Sequence, residues 1–570
     1  MFVKVTQSGP RSYVQLVESF RDDAGRVKKR TVATLGRVDQ IAGELHSVID
    51  GLSRIAGREP PAPGSRSLAA QSLSFEAARA YGNVWALTQL WNELGFGDLK
   101  RVFRRNRYTV DVEALLRVMV INRLCDPDSK LGVLRWLQTV SMPEVDTSSI
   151  THQQLLRSMD ALIVHQDAVD AAVAGLLRPL VDQDLSVVFY DLTTIRTEGL
   201  SQLSGDVRHY GMAKEGLVAR QFMLGVVQTA DGLPIHHEVF EGNAAETKTL
   251  LPTIAKVLAR YPSMKRVVLI ADRGLLSLDN LEALQGIRLA DQQPLEFIIA
   301  VPGRRHGEFV GLLEPMHAQA AALSSESIAE AKWEGRRLIV AHDPARAQEQ
   351  TALRAERIAA LQARAEQLAA KLDGQEAGEV HRGRKLSDSG AKARFFHEVA
   401  EAHLSKIIKV DLKSDLFTYD IDATALARAQ MMDGKLLLVT NVVDMSAAQI
   451  KDRYKALADI ERGFKVLKSE LEIGPVFHRL PQRIKAHASI CFMALILHRV
   501  MRMRLKAAPE AQVISPETAL ELLEQIQYHR VSIDGGKPLS GVSSMSKLQS
   551  TVLKALKVRQ PSQDPQMSLL

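Results

Sequence analysis

Leu185–Ile195, Leu-Ser-Val-Val-Phe-Tyr-Asp-Leu-Thr-Thr-Ile, is a short, dense apolar run that carries one acid, Asp191. Runs of this length and density read as buried strands. An acid at the end of such a strand is open to ligands yet held by rigid backbone. The arrangement recurs in Arg266–Asp272, RVVLIAD, where Asp272 closes the run and a helical pattern (273–287) follows. Between the two, residues 217–242 read as two strands joined by an Asp231-Gly232 turn. Residues 243–261 then read as a helix, with Asn243 and Glu246 at capping-box spacing. Residues 296–301, EFIIAV, add a further strand. Strand, strand, strand, helix, strand, helix, strand predicts a mixed α/β sheet. Singly, Asp191 and Asp272 read first as caps of the turns that follow them. As a pair they say more, because neighbouring strands would bring both within reach of one hard cation. Such ions take oxygen ligands at about 2.0–2.1 Å.

Further along, the regularity stops after Val301. Ile358, Leu361, Ala365, Leu368 and Leu372 keep a/d spacing over only about two heptads, which predicts an antiparallel helical pair. Strands resume at 407–422 and 434–441. Then comes Tyr454–Ile473, YKALADIERGFKVLKSELEI. On one α-helix Tyr454, Glu461, Lys465 and Lys468 form a single stripe. Ile460, Phe464, Leu467 and Leu471 form an apolar stripe about 100° away. The helix would bury the second stripe on the sheet and show the first at its edge. Glu461 would then complete a three-carboxylate cage, and Tyr454 and the lysines would grip phosphates. An ordinary amphipathic helix with a Glu–Lys pair worth about 0.2–0.5 kcal/mol has the same pattern.

Towards the N-terminus, residues 2–9, 12–22 and 30–36 read as strands, 40–57 as a helix and 57–67 as a linker. Residues from about 75 to 182 read as helical, with Trp85, Trp91 and Trp136 as core. From about 537 the sequence weakens into Gly/Ser-rich stretches, one short helix and a polar tail. The chain has 570 residues, 46% hydrophobic and 24% charged, which excludes a wholly disordered chain. Two cysteines, Cys125 and Cys491, exclude a disulfide framework and a Cys-rich zinc site. No signal-like segment opens the chain, and the longest apolar run is only Ile490–Leu497, so no membrane span and a cytoplasmic location are expected. The balance of 73 basic to 66 acidic residues makes a polyanionic partner plausible without deciding it. His236 and His237 are adjacent on a strand and face opposite ways, so they cannot share one ion. His478, His487 and His498 read as packed or solvated. Arg304, Arg305, Arg336 and Arg337 fit a DNA contact or a solvated face equally.

These residues together resemble the DDE transposases of bacterial insertion sequences, in the branch whose Glu helix carries Tyr-x2-Arg-x3-Glu-x6-Lys. Tyr454, Glu461 and Lys468 match, whereas Leu457 stands at the Arg position, with Arg453, Lys455 or Arg462 as substitutes. FYDLTT (189–194), HYGMAKEG (209–216), the EGN…E…TL run from Glu241, LIADRG (269–274), LLLVTN (436–441) and 474–497 are also similar to the family. The resemblance spans nearly the whole chain.

It implies an α/β fold: an RNase H-like mixed-sheet core interrupted by an insertion domain, with an N-terminal β segment and a helical DNA-binding region. The expected divisions are 1–57, 75–182, 183–301, 302–432, 433–506 and 507–570. Asp191, Asp272 and Glu461 would be both the catalytic residues and the ligands of two Mg²⁺ or Mn²⁺ ions. Tyr454, Arg462, Lys465 and Lys468 would bind DNA, with Trp333 as the aromatic that stacks on a flipped base. The implied partners are double-stranded DNA, at terminal inverted repeats and at the target, and a second subunit on that DNA. No membrane is implied, and the DNA-bound protein would sit with the nucleoid. The implied activity is end cleavage and strand transfer by two metal ions. The other readings are a catalytically inactive, transposase-derived DNA-binding protein and a stand-alone RNase H-like nuclease.

Overall fold

The computed structural model describes residues 2–562 except 9–10, 22–26, 39–72, 105–107, 182–185, 200–202, 204, 213–217, 273–276, 290–291, 322, 379–384, 458–462, 514 and 534–538. Strands β1 (Phe2–Ser8), β2 (Arg11–Arg21) and β3 (Val27–Arg37) form an antiparallel sheet in that order. The helix expected at 40–57 and the linker after it lie outside the described residues. Helical periodicity suggested a helix from Phe75, but Leu73–Ala80 is a strand, β4. Helices follow at Gly82–Glu93, Val112–Cys125, Lys130–Trp136, His152–Val164 and Gln166–Leu177. Trp91 is fully buried, stacks on Phe96 at 4.6 Å and donates its indole N–H to Glu113 at 2.8 Å. Trp136 is buried too, whereas Trp85 is half-buried and donates to the Arg559 carbonyl at 2.7 Å.

The central sheet begins with β5 (Ser186–Arg196), β6 (His209–Met212), β7 (Val218–Thr229), β8 (Pro234–Glu241), β9 (Val267–Ala271) and β10 (Glu296–Ala300). It continues through the hairpin β11 (Ser327–Trp333) and β12 (Arg336–His342). β13 (Ile408–Val410) and β14 (Tyr419–Ile421) pair apart from it, and β15 (Lys435–Thr440) rejoins it. The order is β11-β12-β15-β10-β9-β5-β7-β6, with β8 also on β7. β9 runs parallel to both β5 and β10; the other pairs are antiparallel. All of β9 and nearly all of β10 is buried, which is why both read as unbroken apolar runs. Helix Glu246–Arg260 joins β8 to β9, and Leu278–Gly286 joins β9 to β10. The β7–β8 hairpin turns at Asp231-Gly232, with Gly232 at φ 74°, as the Asp-Gly pair predicts. The expected capping box at Asn243 is absent: Ala245 occupies the N-cap and no side chain caps that helix.

The long stretch between β10 and β15 divides. β11 and β12 extend the central sheet. Helices Pro344–Glu376 and Asp388–Glu401 instead enclose a small core of their own, with Ile358, Leu361, Ala365 and Leu368 meeting Ala391, Phe395 and Val399. Leu372 lies at its rim, so the a/d stripe is the buried one.

The C-terminal segment, expected to be helical, also contains a hairpin, β16 (Gln527–Ile533) and β17 (Leu539–Val542). β16 pairs with β4, so sequence near the end of the chain closes a sheet with sequence near its start. The expectation of no membrane-length segment needs correction. Helix Pro481–Lys506 has a window of mean hydropathy 1.3, long and apolar enough to span, but 89% of that window is buried inside the protein. It packs against Val112–Cys125, His152–Val164 and β8 as a core helix.

Candidate active site

The register of β5 against β9 pairs Tyr190 with Ala271. Asp191 and Asp272 are the next residues on the two chains, which run parallel and so stand about 4.8 Å apart. β9 ends there, but β5 continues to Arg196, so Asp191 lies within the β5–β7 ladder rather than at its end. The Val476 amide donates to the Arg196 carbonyl at 3.0 Å, at the far end of β5. Asp191 Oδ1 accepts from the Leu192 amide at 2.7 Å. Asp272 is not a helix cap: Ser277 caps the following helix, accepting from the Asn280 amide at 3.1 Å. Asp272 instead accepts at Oδ1 from the Tyr454 hydroxyl at 3.2 Å.

Tyr454 reaches Asp272 from helix Ala447–Lys455, whose start has a Ser446–Gln449 capping box. The single helix expected over 454–473 is not what forms. The α-helix ends at Lys455, and after the undescribed residues 458–462 the chain is helical again and π-helical over Val466–Glu470. A stripe laid out at 100° per residue therefore does not carry through this segment. The apolar side still packs inward, with Leu457, Phe464, Leu467 and Leu471 all buried. Leu457, at the family's Arg position, is thus a core residue.

Glu461 and Arg462 lie outside the described residues. Gly463, just after them, packs on Gln228 of β7; a Cβ there would come 2.7 Å from Gln228 Nε2. Gln228 pairs with Phe189, and Phe189 and Asp191 share a face of β5. Tyr454 thus meets Asp272, and Gly463 packs on the Asp191 face of β5 and β7. Sequence reasoning missed both anchors, because neither leaves a periodic signal. Lys465 is exposed and Lys468 half-buried.

Trp333 sits at the mouth of the β11–β12 hairpin, half-buried, 5.0 Å from the Phe309 ring and beneath the Arg336 guanidinium. Its strand is the fourth from β9 in the sheet, roughly 19 Å away at strand spacing, so it does not join the acid pair. The neighbouring arginines are engaged within the fold. Arg305 pairs with Glu308, Arg336 donates to Gln285 at 2.9 Å, and Arg337 binds Glu330 and the Val442 and Met445 carbonyls. The side chain of Arg304 is not described.

The histidines belong to packing. His237 meets Ser489 Oγ at 3.0 Å and stacks on Phe492, and burial pushes its pKa down to about 4. His236 takes Arg260, which also binds Asp170 at 2.9 Å. His498 meets Glu517 at 2.6 Å. Behind the loop that follows the π-turn, His487 Nε2 donates to the Ile473 carbonyl at 2.9 Å, and Arg123 reaches the Leu471 and Glu472 carbonyls. Buried Lys130 lies in the same cluster, and burial lowers its pKa to about 7. Burial, with Lys130 next in strength, holds His478 near 3.

Two carboxylates side by side, one within β5 and one just past the end of β9, offer the hard oxygen donors that Mg²⁺ or Mn²⁺ prefer, so the residues fit such an ion. Among the described residues no three metal-binding side chains stand together, Glu461 being outside them. A mixed sheet of this order, with paired acids on adjacent strands, is that of an RNase H-like core. The transposase DDE domain family matches residues 182–497, and the N-terminal domain of IS1634 family transposases matches residues 3–64. The chain belongs to the DDE transposases of insertion sequences. A search of curated proteins returned no match.

Proposed function

We propose that this transposase binds the terminal inverted repeats of its own insertion sequence, cleaves the DNA there and joins the ends to target DNA. The observation that carries this is the Tyr190–Ala271 register, which sets Asp191 and Asp272 side by side with the Tyr454 hydroxyl on Asp272. Glu461 is the third acid of the site, and the three carboxylates would hold two Mg²⁺ or Mn²⁺ ions. Bound there, the ions would activate the attacking oxygen and stabilise the leaving one.

The chain's own groups do the rest. Strand backbone fixes Asp191 and Asp272, so little reorganisation is needed. Tyr454 orients the Asp272 carboxylate. Arg462, Lys465 and Lys468 supply cations for the phosphates beside the scissile bond. Trp333 would meet DNA away from the cleavage site. Two subunits would pair the two ends, and the DNA-bound protein would occupy the nucleoid within the cytoplasm. An intact set of Asp191, Asp272 and Glu461 counts against a derivative that only binds DNA.

The test incubates the full chain with labelled DNA from the ends flanking its gene and Mg²⁺ or Mn²⁺. Nicks at the ends and strand-transfer products are expected. Absence of both under every condition overturns the reading.

A further inference from the structure

Two unfavourable backbone features follow one another around Lys468. Val466–Glu470 winds as a π-turn, closed by the Leu471 amide on the Val466 carbonyl at 2.9 Å. Such turns are rare, and this one contains neither glycine nor proline, so its own residues suit an α-turn. Glu472 then takes φ 46°, a left-handed conformation that disfavours any residue with a Cβ. An arrangement that strains the backbone twice persists only where its surroundings hold it.

Arg123 supplies that hold from the helical region that precedes the central sheet. The end of a helical turn leaves carbonyls without donors of their own. Arg123 stands in helix Val112–Cys125 and is buried. Its Nη1 donates to the Leu471 and Glu472 carbonyls, each at 3.4 Å, and its Nη2 donates to the Asp128 carbonyl. His487, from helix Pro481–Lys506, donates to the next carbonyl, that of Ile473, at 2.9 Å. Every one of these Arg123 bonds ends on a carbonyl, so its buried charge faces the negative end of the turn. The Leu471 and Ile473 side chains are buried as well, which fixes the loop on its apolar side.

We infer that Arg123 is a positioning residue for DNA cleavage: by holding the Leu471 and Glu472 carbonyls it keeps the π-turn wound and so aims Lys468 at the DNA. Relaxing the turn to α would rotate Lys468 relative to the loop by one residue's step, about 100°. The guanidinium touches neither DNA nor the acids and acts through the turn alone. The inference rests on the reading of Lys468 as a phosphate contact given above.

The test is a double-mutant cycle on cleavage of labelled end DNA by the full-length protein with Mg²⁺, using Arg123→Met, Lys468→Met and the double variant. Arg123→Met should slow cleavage at least about tenfold, the order of a lost hydrogen bond to a charged group. In the Lys468→Met background the same change should slow it less than about twofold, because the side chain being positioned is gone. A merely structural role would lower the rate equally in both backgrounds. Hydrogen exchange without DNA gives a second readout: Arg123→Met should speed exchange across 464–475 and leave Val112–Cys125 protected. If Arg123→Met does not fold, Arg123→Lys, which keeps the charge and loses the fork, enters the same cycle. Equal losses in both backgrounds, or unchanged exchange across 464–475, overturns the inference alone. No cleavage by the wild type overturns the DNA-cleaving reading and the inference with it.

Discussion

Tyr454 is buried, yet its hydroxyl donates to Asp272, tying helix Ala447–Lys455 to the residue that follows β9. Tyr454→Phe should leave the fold intact and slow cleavage about fivefold, the order of one ordinary hydrogen bond. Single-turnover kinetics alongside a melting curve checks this; unchanged rates would remove the positioning role. A second residue-scale expectation concerns pH. His237 faces His236, Glu238, Asp170 and Arg260, and burial holds its pKa near 4 instead of 6.5. Between those values the unfolded chain binds a proton that the folded chain does not, so stability falls as pH drops from 6.5 toward 4. Lys130, lowered to about 7 by burial, gives the same sign higher up: stability rises as pH climbs from 7 toward 10. Urea midpoints should climb over the alkaline window in the wild type and flatten in Lys130→Met. The adjacency of Asp191 and Asp272 was legible in the sequence because each carboxylate interrupts or closes a dense apolar run. The Tyr454–Asp272 bond was not, since it joins residues whose spacing says nothing about contact.

At the scale of elements, the segment after Tyr454 departs most from its sequence pattern. Ala456, Leu457 and the residues after them suit a helix well, so periodicity predicts one continuous helix. The chain instead breaks after Lys455 and winds as a π-turn over Val466–Glu470. Packing overrides propensity here, with Leu467 and Leu471 each 1% exposed. Leu467→Ala should cost about 2–5 kcal/mol by the usual penalty for an emptied core site. Gly463→Ala should instead cost activity more than stability, by pushing the segment off Gln228. Measuring melting temperature and cleavage on both variants separates the two effects. β9 and β10 were easy to read because burial on both faces leaves no polar alternation. β4 was hard, because it becomes a strand through a partner, β16, over 400 residues away.

Across the whole molecule, one central sheet carries the acid pair, and the chain between β10 and β15 adds two strands to that sheet and a separate helical core. The helical core around Phe395 should open without the sheet. Phe395→Ala, a loss of about 3–5 kcal/mol of local packing, should raise amide exchange in Pro344–Glu376 and Asp388–Glu401 and leave β5 and β9 protected. Uniform loss of protection would show one cooperative unit instead. The a/d stripe announced this pair of helices, but nothing local announced that β11 and β12 join the central sheet. The central claim is that Asp191 binds metal during DNA cleavage. Its most direct test is cleavage of end DNA by Asp191→Cys, because a thiolate ligand disfavours Mg²⁺ and tolerates the softer Mn²⁺. Relative to wild type, cleavage should fall at least about a hundredfold in Mg²⁺ and recover about tenfold or more in Mn²⁺. Wild-type rates for Asp191→Cys in Mg²⁺ would contradict the account.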